Sequence, residues 1–299
     1  MSSASQDALS GMYVFSITPT THDGGVNEQV LRELVDHFIA EGVDGIAMLG
    51  STGNVASFSE AERRHVAEVA VEQARGRVPV MIGTGAITTA ESVRLSRHAH
   101  SIGASSVLVV PITYWLLTDT EILDHYRAIS DAVDIPVVIY NSPRLTVTDL
   151  QPALLAKLSQ IKNISHMKEA SMDLSRIRQT LRLSGGRMKI ATGRDNTAFE
   201  AFLLGASGWY AGIGNLIPRL CTELFNASVK QPDLQRAQSL ASRIAPLTDF
   251  AMDRGLVRVS HTGLELMGRN VGAPRAPVKM LESADRDRLK QILTDLKLL

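Results

Sequence analysis

Residues 135–170 read IPVVIYNSPRLTVTDLQPALLAKLSQIKNISHMKEA. An apolar, largely β-branched run, 137–140, and a mixed run, 164–168, flank a polar turn and an amphipathic segment. This order predicts a strand, a crossover helix and a second strand parallel to the first. The same rhythm runs outward in both directions. Further strand candidates lie at 12–17, 45–48, 80–82, 106–110, 188–191 and 208–211, which makes eight with the first two. Helical patterns fill the gaps. In 27–41, Val30, Leu34, Val35 and Phe38 mark one apolar face, with Asn27 as cap and Gly42 after the end. Ser59 with Glu62 makes a capping box for 60–74, and Thr118 with Glu121 repeats it before 122–132.

Eight alternations predict an α/β fold, a (β/α)8 barrel of the TIM type. An open doubly wound sheet is the competitor, but the first βα turn, 18–25, lacks the closely spaced glycines of a dinucleotide cradle. The residues after the eighth strand exceed what one barrel helix needs. We therefore expect a catalytic barrel over 1–230, closed by a helix at 216–229, and a small C-terminal helical extension over 231–299.

Lysine plus arginine (31) equals aspartate plus glutamate (31), so no long-range field favours nucleic acid or an anionic membrane as partner. No apolar run approaches the length of a membrane span. The single cysteine, Cys221, excludes an internal disulfide framework and reads as a packed thiol. The polar start, 1–10, lacks the order of a signal peptide, so a cytoplasmic location is expected.

Reactive side chains of a barrel sit at the C-terminal ends of strands and in the loops that follow. After the second strand comes Gly50-Ser51-Thr52-Gly53-Asn54, whose glycines let backbone amides fold beside two hydroxyls, a receptor for a small carboxylate. The fifth strand ends at Tyr140 and the sixth at Lys168. A desolvated lysine forms an imine with a ketone, and the protonated imine is an electron sink for the adjacent carbon. A nearby phenol can move the protons this requires. Taken singly, a strand-end lysine, a strand-end tyrosine and a glycine-rich loop are each more often packing or surface features. Their joint occurrence on strands two, five and six points to one chemistry: imine formation with a 2-oxo acid.

With Phe15-Ser16-Ile17-Thr18-Pro19, Gly83-Thr84-Gly85, Val109-Val110-Pro111 and Gly272-Ala273-Pro274-Arg275-Ala276-Pro277, the whole chain resembles the dihydrodipicolinate synthase and N-acetylneuraminate lyase family. The resemblance implies that Lys168 forms the Schiff base and Tyr140 transfers protons. Ser51 would be the relay hydroxyl, and Thr52 would hold the pyruvate carboxylate. It implies too that Tyr114, in the loop after strand four, is lent by a neighbouring subunit of a homotetramer built from dimers. Neither a cofactor nor a metal is expected.

Departures from the family pattern bear on the substrate. Asn54 replaces the usual glutamate, and Leu145 stands where synthases carry an arginine. Arg144 is one residue early, and strict alternation would turn it to the opposite face. Asp195 matches a sugar-binding position of the lyases, while Asn196, Gly212 and Ala170 do not. Tyr210 and Trp209 on strand eight would add bulk. The substrate-binding candidates are thus Thr52, Gly50, Arg144, Asp195 and Tyr210. The expected substrate is a sugar-acid-derived or other 2-oxo acid, cleaved, condensed or dehydrated. The family's synthase reaction, pyruvate with aspartate semialdehyde, is the alternative. From other classes come a phosphate- or flavin-binding barrel using the glycines at 192–195 and 212–215, a metal-dependent aldolase and a non-catalytic binding barrel. The histidines are scattered, which argues against the metal enzyme, and His166 would share a strand face with Lys168.

Overall fold

The computed structural model describes residues 9–299, so most of the polar 1–10 stretch lies outside the described residues. Among the described residues, eight strands close into one parallel barrel in sequence order. They are β1 (Met12–Phe15), β2 (Gly45–Met48), β3 (Val80–Gly83), β4 (Ser106–Val109), β5 (Val137–Asn141), β6 (His166–Glu169), β7 (Lys189–Thr192) and β8 (Gly208–Ala211). The helices between and after them are α1 (Glu28–Ala40), α2 (Glu60–Ala74), α3 (Thr89–Ser101), α4 (Asp119–Ser130), α5 (Pro152–Leu158), α6 (Ser175–Leu183), α7 (Ala198–Leu203) and α8 (Pro218–Phe225). Three more follow: α9 (Leu234–Arg254), α10 (Leu256–Leu266) and α11 (Ser283–Asp295). No described helix is long and apolar enough to cross a membrane.

The caps read from sequence are present. Asn27 accepts from the Val30 amide, and both capping boxes, Ser59 with Glu62 and Thr118 with Glu121, are complete. The second box starts its helix at Asp119 rather than 122, because the cap residue itself fixes the first turn. Strand six begins two residues later than its apolar run, at His166.

Alternation along the strands sorts side chains into two cores. Outward residues such as Val14, Ile46, Ile139, Met167 and Trp209 pack under the helices. Inward residues, among them Tyr13, Phe15, Ala47, Leu108, Val138, Tyr140 and Tyr210, fill the barrel. Asn215 closes the seam between β1 and β8: its Oδ1 accepts from the Ile17 amide, and its Nδ2 donates to the carbonyls of Phe15 and Gly212.

The segment after α10 returns to the barrel mouth. There the Arg275 Nε donates to the Gly24 carbonyl at 2.7 Å and one Nη to the Ser57 carbonyl at 3.0 Å. The guanidinium also pairs with Glu62 and lies 4.2 Å from the Phe58 ring centroid. Next to it the Arg275 carbonyl accepts from Asn54 Nδ2. One side chain thus ties the C-terminal segment to the loops after β1 and β2.

Arg275→Ala should lower stability by about 1–3 kcal/mol, the worth of charge-assisted bonds in a partly exposed cluster. Arg275 holds the Glu62 carboxyl down to about 2 from an ordinary 4.5. A depressed carboxyl stabilises the fold above its ordinary value and loses that contribution as the pH falls toward its folded one. Denaturation midpoints of wild type and variant should therefore differ steadily above about pH 5 and converge in more acid solution. A gap that widens on acidification would contradict this account.

Candidate active site

Parallel register brings the two chemical strand ends together: Tyr140 on β5 is the direct partner of Lys168 on β6. Both face inward, and Lys168 is only 4% exposed. Its Nζ lies 3.5 Å from the Phe15 ring centroid and 4.6 Å from that of Tyr140. Burial pushes the Lys168 pKa down, because the ammonium loses its water; Tyr140 and the buried Asp195 pull it partly back. Gly193 on the neighbouring strand end makes room for the lysine stem. A Cβ there would stand 2.5 Å from Lys168 Cε.

Behind this pair the strand ends are pinned. Asn141 Nδ2 donates to both Glu169 oxygens, the Ser171 amide donates to Oε1 at 2.6 Å, and Asn141 Oδ1 accepts from the Leu150 amide. Burial raises the Glu169 pKa against these donors.

Above Lys168 opens a cavity of about 390 Å³, lined among others by Ser51, Thr52, Tyr140, Ser142 and Gly193. That is room for more than a three-carbon acid. The Ser51–Asn54 turn closes with the Asn54 amide donating to the Ser51 carbonyl, and Thr18 Oγ1 donates to the Gly53 carbonyl. Gly50 lies beneath the turn, where a Cβ would press on the Phe15 ring at 2.9 Å. It shapes the loop from outside the cavity lining, whereas Ser51 and Thr52 face in.

The strand-five loop differs from the expectation of strict alternation. The amides of Leu145 and Thr146 both donate to the Ser142 carbonyl, which makes a turn. In a turn neighbours need not face opposite ways, and both Arg144 and Leu145 line the cavity.

Two candidate substrate contacts are placed elsewhere. Tyr210 is wholly buried inside the barrel, stacked on Phe15, and its hydroxyl donates to the Leu9 carbonyl on the side away from the cavity. Of the two strand-eight aromatics it is Tyr210 that faces inward, but its ring is too deep to line the mouth. Asp195 is likewise absent from the lining. Its oxygens accept from Trp209 Nε1 at 2.9 Å and from the Ile213 amide at 2.8 Å, which joins the β7 loop to β8. Burial nevertheless raises its pKa to about 6. Trp209 itself points outward, edge-on to Phe202. Because a carboxylate already occupies the Ile213 amide, the β7 and β8 loops offer a phosphate less than their glycines suggested. Among the described residues no group of three or more His, Cys, Asp or Glu is placed to hold a metal ion.

Tyr114 lies outside the cavity and is 81% exposed, edge-on to Trp115. Trp115 and Leu116 beside it are 71% and 83% exposed, an unusual run of bare apolar surface. Sequence reading missed the roof of the cavity. It is built by the α9–α10 junction, including Met252, Gly255, Leu256 and Arg258, and by Val278. It also missed Arg194, in the loop after β7. The helical pattern of 234–266 was visible, but nothing local says that its turn returns over strands five to eight.

The pattern of the Dihydrodipicolinate synthetase family fits residues 8–296. A 4-hydroxy-tetrahydrodipicolinate synthase from Acidiphilium cryptum is 35% identical over 97% of this chain and 99% of its own length. Another, from Methylibium petroleiphilum, is 36% identical over 97% and 98%. Among solved structures, the chloride-inhibited dihydrodipicolinate synthase from Acinetobacter baumannii, complexed with pyruvate, superposes with a TM-score of 0.92 at 31% identity, covering 97% of this chain and 100% of that one. A prophage protein of the dihydrodipicolinic acid synthase family from E. coli K12, in complex with pyruvate, does so with 0.92 at 29%, covering 97% and 99%. With its closed barrel and near-complete match, this chain belongs to the dihydrodipicolinate synthetase family.

Proposed function

We propose that this chain is a Schiff-base-forming lyase acting on pyruvate or a related 2-oxo acid, by retro-aldol cleavage, aldol condensation or dehydration. The observation that carries the reading is the buried Lys168 amine, its pKa lowered by burial, at the floor of a cavity with Tyr140 as its register partner. The neutral amine attacks the C2 ketone, and the carbinolamine loses water to give a protonated imine. Electrons from the bond broken at the next carbons flow into that imine, and the enamine returns them when a proton or an aldehyde is added. Tyr140 shuttles the protons, with Ser51 as relay, while Thr52 and the neighbouring amides hold the substrate carboxylate. The pyruvate bound by two structural relatives supports this substrate class.

The same reading assigns Tyr114 to the site of a neighbouring copy within a homotetramer, a dimer of dimers. Its support is the exposed run from Tyr114 to Leu116, which a second copy would cover. A cytoplasmic location goes with it, in keeping with a single buried cysteine. A second reading, condensation of pyruvate with aspartate semialdehyde, is favoured by Arg144 in the cavity wall and by the names of the curated relatives. A coupled assay with both substrates separates the two. Robust synthase turnover that vanishes in Arg144→Ala would favour the second reading. Negligible turnover, in a protein that still forms the pyruvate imine, leaves the first.

Pyruvate with borohydride should add one reduced adduct at Lys168, read by intact mass and peptide mapping, and Lys168→Ala should lose both trapping and turnover. An active alanine variant would end the imine reading. The trapping rate should rise with pH, since only the neutral amine attacks. The midpoint should fall below lysine's ordinary 10.5, as burial requires. A midpoint at or above that value would mean that burial does not set the amine's charge. Mixed oligomers of Tyr114→Phe and Lys168→Ala subunits should regain activity that neither parent has. A fully active monomer would refute the shared site.

A further inference from the structure

Two residues of the loop after β2 hold a left-handed backbone that side chains rarely allow: Leu49, with φ 60°, and Asn54, with φ 54°. They bracket Gly50–Gly53, the turn whose Ser51 and Thr52 face the cavity. Gly83 on β3 makes room for the first kink, because a Cβ there would stand 2.0 Å from the Leu49 carbonyl oxygen. The second kink is held differently. Asparagine enters the left-handed region at lower cost than most residues, since its short amide bonds locally. Its backbone amide closes the turn on the Ser51 carbonyl at 3.0 Å. Its Oδ1 accepts from Ser57 Oγ at 3.1 Å, and its Nδ2 donates to the Arg275 carbonyl at 3.3 Å. The Arg275 guanidinium donates in turn to the Ser57 carbonyl. Asn54, Ser57 and Arg275 thus close a ring of hydrogen bonds behind the turn, and Arg275 brings into it the segment after α10.

We infer that Asn54 is a positioning residue for the substrate carboxylate: through this ring the C-terminal segment fixes the Ser51–Thr52 turn in the geometry that receives a 2-oxo acid. The inference rests on the imine reading and adds to it a residue that touches no substrate, since Asn54 stands outside the cavity lining. A receptor made of backbone amides and hydroxyls binds well only if its donors converge before the anion arrives. Otherwise the ordering of the turn is subtracted from the binding energy. Glycines at 50 and 53 leave the turn itself permissive, so its shape must be held from outside. Thr18 Oγ1 holds the Gly53 carbonyl on one side, and the Asn54 ring holds the exit on the other. A glutamate, the usual residue at this place, has no side-chain amide to donate to the Arg275 carbonyl. The tie therefore follows from the asparagine.

The test is borohydride trapping at Lys168 with two ketones of similar size, pyruvate and hydroxyacetone, of which only pyruvate carries a carboxylate. Asn54→Gly keeps the left-handed backbone without strain and removes both side-chain bonds. In it pyruvate should half-saturate at a concentration about three- to tenfold higher, the worth of one or two ordinary hydrogen bonds. The rate at saturating pyruvate, and the trapping of hydroxyacetone, should both stay within about twofold of wild type. Ser57→Ala leaves the Asn54 backbone untouched and should move the pyruvate value in the same direction by less. It decides the matter if Asn54→Gly does not fold. An unchanged pyruvate half-saturation overturns the positioning role, because the turn would then hold itself. Equal losses with pyruvate and hydroxyacetone also overturn it, because the ring would then merely support the fold. Absence of any pyruvate adduct on wild-type Lys168 is a different failure: it sinks the imine reading, and this role with it.

Discussion

Everything at this site depends on how one amine is charged. In the proposed mechanism Lys168 sheds its proton to attack a ketone, and the nitrogen then carries a positive charge as the imine. Full burial serves the first need by lowering the pKa, while the Tyr140 phenol and the Asp195 carboxylate favour the second. Asp195 shows the same contest from the other side. Three donors, from Ile213, Trp209 and Gly212, stabilise its charge, yet burial raises its pKa to about 6. It stands outside the lining of the cavity, yet its charge, behind burial and Tyr140, helps to hold the lysine's proton. The carboxylate that ties β7 to β8 also biases the amine on β6, so fold and electrostatics share a residue.

The geometry that delivers this balance is the closed barrel. Closure makes β5 and β6 direct neighbours with Tyr140 opposite Lys168, and Gly193, just after β7, leaves space for the lysine stem. The seam held by Asn215 keeps Phe15 on β1 beneath the amine. The C-terminal helices then cover what the barrel leaves open. Arg275 anchors their trailing segment to the Asn54 loop, and the α9–α10 junction makes a roof. The cavity is therefore a joint product of the barrel and the chain beyond it.

Much of this is legible in the sequence because it is local. Strand runs, capping boxes and the strand-end positions of Lys168 and Tyr140 follow from patterns only a few residues long. What stayed hidden depends on depth or distance. Alternation puts Tyr210 on the inner face but does not say how far down the barrel its ring sits, and it is satisfied by Leu9 on the side away from the mouth. Asp195 reads as a polar loop residue until Trp209, fourteen positions on, is seen to occupy it. Arg144, a candidate that strict alternation would have turned away, lines the cavity because its segment is a turn. Arg194 was read only as part of the glycine-bearing 192–195 stretch and the roof only as helix, since their place at the site arises only when loops far apart in sequence share one cavity. Resemblance to a family filled some of these gaps, but only for positions the family uses in common.

The most direct test of the account is a crystal structure of the protein soaked in pyruvate at neutral pH. The account predicts continuous density from Lys168 Nζ to C2 of the acid, with its carboxylate on the amides and hydroxyls of Ser51 and Thr52 and the Tyr140 phenol beside the new bond. Pyruvate bound without a covalent link, or with its carboxylate away from the Ser51–Thr52 turn, would contradict it.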